Sequence, residues 1–375
     1  MIIGIDASRA NHDQKTGVEW YAFFLIQELK KITDPRTTHV ILYADRPLQG
    51  ELAVLPAHWS AKILHWPPQR LWTHIRLSWE MLTHPPDVLF IPAHVPPLIH
   101  PKKTVMTVHD IAALRFPESY NRFERWYSLW SARYAVKKMY KIITPSQFTK
   151  KELLEYVPGA STARIDVVSH GHNQHSAPAE RIGTQEVLNK YHITQPFLLS
   201  IGRLEEKKNT KRIIQAFDLL KKEFPEDKNI QSLSLVLVGK PGHGYEEVQS
   251  ALQESPNKKH IVMPGWVDEK DVAVLLETAC VFVFPSLYEG FGLPVLEAFA
   301  AGTPVVASKG SSLEEVGGSA AIYVDPMAPG QIVDAIKMLV SDQDNRALCI
   351  KRGRERVGLF SWQSCAQQTL EILSS

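Results

Sequence analysis

Residues 284–307 read Phe-Pro-Ser-Leu-Tyr-Glu-Gly-Phe-Gly-Leu-Pro-Val-Leu-Glu-Ala-Phe-Ala-Ala-Gly-Thr-Pro-Val-Val-Ala. The short apolar run 281–284 reads as a buried strand that ends at Phe284. A glycine-containing loop follows, and a helix is expected over 294–301, because Pro294 suits a first turn where its missing N–H would lack a partner anyway. A second apolar run, 304–307, closes the segment. Strand, crossover helix and strand make the repeating unit of a parallel sheet. In the loop, the backbone N–H groups of Phe291, Gly292 and Leu293 can converge at the helix N-terminus, where the helix dipole reinforces an anion site. Gly290 and Gly292 let a ligand approach the chain closely. Glu289 and Glu297 stand eight residues apart, one on each side of this amide cluster. Each glutamate alone has a plain reading, since a first-turn acid complements the helix dipole. Together with the amides, the pair suits a phosphorylated, polyhydroxylated ligand.

The same alternation extends outward in both directions. Strands are expected at 2–5, 40–43, 88–91, 104–108, 142–144 and 165–168, with helices at 20–31, 70–82, 123–140 and 147–156. Residues 172–184 are polar, without a clear period, and read as a linker. The alternation restarts with strands 197–201, 233–238, 260–263, 281–284 and 304–307. Helices are expected at 210–222, 269–278, 294–301, 329–340 and 345–357. A last helix is expected over 361–373, with Ser361 capping its free amides. The fold class is therefore α/β, two tandem Rossmann-like doubly wound domains facing across a cleft. Their expected bounds are 1–175 and 185–358, and residues 359–375 are expected to form a C-terminal helix, for which packing back on the first domain is one placement. Ligands of such sheets bind beyond the carboxyl ends of the strands.

Length and composition agree. The chain has 375 residues, 44% hydrophobic and 22% charged, as expected of a globular protein of two or three domains. Three cysteines without a CxxC pair exclude a disulfide scaffold and a cysteine-built zinc site. Residues 1–175 carry 21 basic against 15 acidic side chains and the remainder 21 against 25. That asymmetry is too mild to call for nucleic acid. Met1 runs into an apolar strand with no basic leader or cleavage site, and no apolar run approaches membrane-spanning length, so a cytoplasmic chain is expected.

Other candidates sit where strands end. Strand 197–201 runs into Gly202-Arg203-Leu204-Glu205-Glu206-Lys207-Lys208-Asn209. Arg203 can fork onto phosphate oxygens and Lys208 supplies a point charge at the next helix start; Lys207 is expected to face water. His109 follows strand 104–108 and is a candidate for a sugar hydroxyl or for proton transfer, with Asp110 orienting it or capping the next segment. Thr16-Gly17-Val18 precedes a helix, where Gly17 offers an amide to a phosphate or simply makes a turn. His170-Gly171 reads as a domain-joining turn. Asp342-Gln343-Asp344 reads as a helix cap rather than a magnesium site. No GxGxxG follows the first strand, and Gly239-Lys240-Pro241-Gly242-His243-Gly244 has the wrong spacing, which argues against a dehydrogenase. Residues 115–141 contain seven basic side chains against Glu118 and Glu124, interleaved with Trp126, Tyr127, Trp130, Tyr134 and Tyr140. Such a helix either lies on an anionic bilayer or packs on the core with a solvated basic face. Arg70, Trp72, Arg76 and Trp79 echo it.

The segment Pro285–Ala298, with Glu289-x7-Glu297, resembles the Glu-x7-Glu motif of retaining, nucleotide-sugar-dependent GT-B glycosyltransferases of family 4. The stretch from Thr107-Val108-His109-Asp110 to Arg115-Phe116-Pro117-Glu118 resembles the mannosyltransferase-like members. The resemblance implies that Glu289 and the neighbouring amides, from Gly290 to Leu293, contact the donor sugar and phosphate. It implies that Glu297 holds the ribose hydroxyls, that Arg203 and Lys208 hold the diphosphate, and that His109 lies at the donor sugar. Many members carry two adjacent glycines where this chain has Gly17 alone. The implied activity is transfer of a hexose, with mannose from GDP-mannose preferred, to a glycan or lipid-linked saccharide with retention of configuration, in polysaccharide or O-antigen-like assembly. No metal or other cofactor is expected. Rival expectations are a nucleotide-sugar hydrolase or epimerase on the same fold, or a non-catalytic nucleotide-sugar-binding subunit. Peripheral contact with the inner face of the membrane would suit a lipid-linked acceptor.

Overall fold

Thirteen strands build two separate parallel sheets in the computed structural model, which describes residues 1–67, 70–172 and 183–375. The expected linker at 172–184 therefore lies almost wholly outside the described residues. The chain divides into two units. Unit 1 comprises residues 1–115, 121–171 and 360–375, and unit 2 comprises 116–120 and 172–359.

The unit 1 sheet contains β1 (Ile2–Asp6), β2 (His39–Ala44), β3 (Trp59–Ile63), β4 (Val88–Ile91), β5 (Thr104–Thr107), β6 (Lys141–Thr144) and β7 (Ile165–Val167), in the order β3-β2-β1-β4-β5-β6-β7. The unit 2 sheet contains β8 (Phe197–Ile201), β9 (Ser234–Val238), β10 (Ile261–Gly265), β11 (Val281–Phe284), β12 (Val305–Ser308) and β13 (Ala321–Val324), in the order β10-β9-β8-β11-β12-β13. Both are doubly wound, and each reverses direction once. The reversal falls between β1 and β4 in unit 1, and between β8 and β11 in unit 2, where Val281 pairs with Leu198. A crevice opens at such a switch point because the two loops leaving adjacent strands turn to opposite faces. In unit 2 those loops are 202–209 and 285–292.

The strands form because both faces are covered. β9, β11 and β12 are buried along their whole length, so they read as unbroken apolar runs. β3 escaped the sequence reading because it is an edge strand: only Trp59 of Trp59–Ile63 is buried, which leaves little apolar signal. β13 is likewise an edge strand, with Ile322 and Tyr323 half-buried. Helix Gly17–Ile32 presents Tyr21, Leu25 and Leu29 to the core at one-turn spacing. Trp362, Cys365, Ala366 and Leu373 of helix Trp362–Ser374 join the same core. The expected helix at 70–82 differs. Thr73–Leu77 is wound as a π turn that passes into helix Ser78–Thr83, and Leu71 before it has a positive φ of 62°.

Candidate functional site in unit 2

The two loops at the β8/β11 switch point are tied together by main chain and side chain. Leu287 N donates to Lys207 O at 2.8 Å. Asn209 adopts a left-handed conformation (φ 62°, ψ 28°), which asparagine tolerates better than most residues. Its buried Nδ2 donates to Pro285 O at 2.9 Å and Pro326 O at 2.7 Å. Helix Thr210–Glu223 starts immediately afterwards. Asn209 thus clamps the lysine-bearing loop to the glutamate-bearing one, a role invisible in the sequence because both acceptors are carbonyls far along the chain.

Lys208 Nζ donates to Glu289 Oε1, and both side chains are largely enclosed, 19% and 12% exposed. The ammonium also lies 5.1 Å from the centroid of the Phe284 ring, where the negative π-face attracts it. Its stem runs beside Gly202, where an added Cβ would sit 3.5 Å from Lys208 Cδ. The backbone of Gly202 is in turn pressed by Gly239. A Cβ on Gly239, whose φ is +150°, would lie 1.8 Å from Gly202 O. The glycine run at 239–244 therefore packs against the phosphate-loop candidate instead of cradling a ligand by itself.

Gly292 has φ +120°, and a Cβ there would meet Leu313 Cδ2 at 2.5 Å. Only glycine fits. It precedes helix Leu293–Ala300, which starts one residue earlier than Pro294 suggests. The first-turn amides of a helix have no intrahelical acceptor, and Leu293 occupies that turn. Ser312 fixes the loop from behind, donating to Glu289 O (2.8 Å) and to Phe291 O (2.7 Å). Phe291 is buried.

Glu297 lies one turn into this helix and is half-buried. Dense surroundings push its carboxyl up from 4.5 to about 7, and the like charge of Glu269, first residue of helix Glu269–Thr278, adds to the rise. Arg203 stands apart from the Lys208–Glu289 pair: its side chain is 68% exposed and approaches Glu205, Nε to Oε2 3.8 Å. Lys207 does not simply face water. It is half-buried and donates to Tyr120 Oη at 3.3 Å, within 5.8 Å of that ring. A segment with one enclosed cation, one exposed cation, a helix N-terminus and two acids can accept a diphosphate flanked by hydroxylated groups.

In unit 1, His109 follows β5 and is buried. Its Nε2 lies 2.8 Å from Pro92 O. A carbonyl only accepts, so Nε2 carries the hydrogen and Nδ1 is the ring's acceptor. Its amide donates to the His94 ring. Burial, with the neighbouring His94 adding to it, pushes the imidazole down to about 3. A ring that stays neutral serves as a hydrogen-bond partner rather than a proton carrier. Asp110 accepts from Ala112 N at 3.0 Å, capping the next turn. His170 is no mere turn. Its ring packs on Tyr21 (4.5 Å), His109 (5.4 Å) and Trp362 (5.9 Å). A Cβ on Gly171 would lie 2.2 Å from Trp362 N, so the glycine admits the C-terminal helix. Gly17 opens helix Gly17–Ile32 and is exposed; a Cβ there would meet nothing. Asp342 caps helix Gln343–Val357 through Asp344 N and Asn345 N. Among the described residues no group of three or more His, Cys, Asp or Glu is placed to hold a metal ion.

Residues 185–356 match the family model of glycosyl transferases group 1, and residues 15–176 match that of glycosyltransferase family 4. The O-antigen chain mannosyltransferase B of Escherichia coli is 29% identical over 312 residues, 82% of this chain and 77% of the relative. The E. coli serotype-specific mannosyltransferase WbdA is 29% identical over 279 residues, 72% of this chain but only 33% of that longer relative. Among solved structures, sucrose-phosphate synthase from Thermosynechococcus elongatus has a TM-score of 0.75 at 18% identity, covering 99% of this chain and 98% of its own. Anabaena Alr3699/HepE in complex with UDP and glucose has a TM-score of 0.74 at 16% identity, covering 100% and 99%. WaaG, a glycosyltransferase involved in lipopolysaccharide biosynthesis, has a TM-score of 0.73 at 15% identity, covering both chains fully. These structural likenesses show the fold, two Rossmann-like units of the GT-B type.

Proposed function

This chain belongs to the group 1 and family 4 glycosyltransferases, and from that premise we propose that it moves mannose from GDP-mannose to a hydroxyl of a glycan or lipid-linked saccharide. The configuration at the anomeric carbon is retained, and the product belongs to a polysaccharide or O-antigen-like glycan. The observation that carries the reading is the enclosed Lys208–Glu289 pair beside the Gly292 helix start, at the switch point of unit 2. Relatives named as mannosyltransferases support the sugar, and the complexes of HepE with UDP and UDP-glucose support a nucleotide-sugar donor.

In this reading, breaking the sugar–diphosphate bond places extra negative charge on the leaving group, which fixed cations stabilise. Lys208 is held by Glu289 until the diphosphate arrives, then shares its ammonium with a phosphate oxygen. Arg203, being exposed, swings onto the same group in a forked contact. The amides at Gly290 to Leu293 bind phosphate oxygen, and Glu289 accepts from sugar hydroxyls. Glu297 accepts from the ribose. Gly17, which the local fold does not require, offers an amide to a phosphate. His109, neutral, accepts a hydrogen bond from the donor sugar. No step calls for a metal, since the cations supply the charge.

The test is a donor panel, GDP-mannose and UDP-glucose among it, with and without a mannosylated lipid acceptor, each repeated in chelator. Acceptor-dependent release of GDP, unchanged by chelator, is expected. Equal release without acceptor would make the protein a hydrolase. Altered sugar without release would make it an epimerase, and binding without turnover a donor-binding subunit.

A further inference from the structure

Helix Arg122–Lys138 of unit 1 leaves its outer face uncovered. Arg122, Phe123, Trp126, Trp130, Arg133 and Lys137 fall within an arc of about 100° at 3.6 residues per turn. Phe123 is 68% exposed and Trp126 58%. The rings run down the helix as a ladder, Trp126 stacked on Trp130 at 6.5 Å and Trp130 against Tyr134 at 5.1 Å. A groove of 320 Å³ lies along them, lined by Trp126, Leu129, Trp130, Arg133, Tyr134 and Lys137.

The apolar surface continues beyond the helix. His74 is bonded to Tyr127 Oη at 3.1 Å and packs edge-on against Trp130. That brings the segment bearing Ile75, Trp79 and Leu82, all exposed, alongside. Tyr134 Oη donates to Leu98 O at 3.0 Å, adding exposed Leu98 and Ile99. Among the described residues no carboxylate pairs with Arg122, Arg125, Arg133 or Lys137. Exposed indole rings and unpaired cations interleaved on one face match the boundary between headgroups and acyl chains, where rings enter and cations meet lipid phosphates.

We propose that this face of unit 1 docks on the surface of an anionic phospholipid bilayer, with Phe123, Trp126 and Trp79 at the acyl boundary and Arg122, Arg133 and Lys137 on lipid phosphates. The inference stands independently of the donor chemistry in unit 2. No helix among the described residues is long and apolar enough to cross a membrane.

The experiment uses the full chain with vesicles of pure phosphatidylcholine and of phosphatidylcholine mixed with phosphatidylglycerol. Co-sedimentation with the mixed vesicles only, weakening as salt is added, is expected. Brominated acyl chains should quench tryptophan fluorescence. Phe123→Ser with Trp126→Ser should lower the partition coefficient about tenfold or more, and Arg133→Glu or Lys137→Glu about fivefold or more each, with melting temperature unchanged. No binding, equal binding to both vesicles, or binding that survives both sets of variants would overturn the proposal. So would loss of self-association or of glycan binding, rather than of vesicle binding, in the same variants.

Discussion

Replacing Glu297 by Gln keeps the side chain's shape and removes its charge. The wild-type carboxyl ionises at about 7 in the folded chain against an ordinary 4.5. A raised carboxyl means that the folded state holds a proton the unfolded state has already lost. Between 4.5 and about 7, then, the unfolded chain binds fewer protons and stability falls as pH rises. The full penalty is present above 7, and the rise corresponds to a ceiling of about 3 kcal/mol. Glutamine carries no such penalty. Glu297→Gln should therefore match wild type near about pH 4 and exceed it near about pH 8 by up to about 3 kcal/mol, or several degrees of melting temperature at about 2–4 °C per kcal/mol. The same change should weaken GDP-mannose binding about tenfold or more at the higher pH, because a ribose hydroxyl then meets a neutral amide instead of a carboxylate. Wild-type affinity should itself rise as pH passes through about 7 and the carboxylate forms. Thermal unfolding at both pH values, with donor titration, measures all three. A stability gain equal at both pH values would show that the charge at Glu297 is not what burial penalises. A gain with donor affinity intact would detach the residue from the nucleotide.

Lys208→Ala should cut kcat by about 100-fold while KM for the donor changes less, because the contact strengthens as the diphosphate leaves; steady-state kinetics decide, and an unaltered kcat removes the lysine from the reaction. Gly292→Ala forces a Cβ into Leu313 at positive φ and should cost about 1–3 kcal/mol in melting experiments, with donor affinity lost in parallel; a neutral result would refute the glycine requirement. Asn209→Ala removes two bonds to buried carbonyls and should destabilise the chain by about 1–3 kcal/mol, as read by denaturant titration. Burial keeps His109 neutral in the folded chain while the unfolded one protonates below about 6.5. Its share of stability is therefore present above 6.5 and lost as pH falls. His109→Asn should flatten that acid limb, and the pH–rate profile of the wild type should show no step from this ring between about pH 5 and 8.

Much of this was legible in the chain itself. Apolar runs such as 281–284 and 233–238 announce strands covered on both faces, and their alternation with amphipathic segments leaves a doubly wound arrangement as the economical answer. The Glu289–Glu297 segment and the position of Arg203 and Lys208 after a strand pointed to one end of the second sheet. Strand β3 was missed because Ser60 and Lys62 interrupt its apolar run, whereas β13 was missed although Ala321–Val324 is apolar throughout. The clamp at Asn209, the brace at Ser312 and the press of Gly239 on Gly202 depend on carbonyls and side chains brought close only by folding.

Sequence alone determined which residues carry charge and where strands and helices alternate, because both are local properties of composition and period. Tertiary structure alone decided that Lys208 meets Glu289 while Arg203 lies exposed near Glu205 and Lys207 reaches Tyr120, that Glu297 lies where its charge is penalised, and that the His109 ring is held against Pro92 O. Those outcomes follow from through-space distance and from water excluded by distant parts of the chain, and neither is written in a residue's own neighbours.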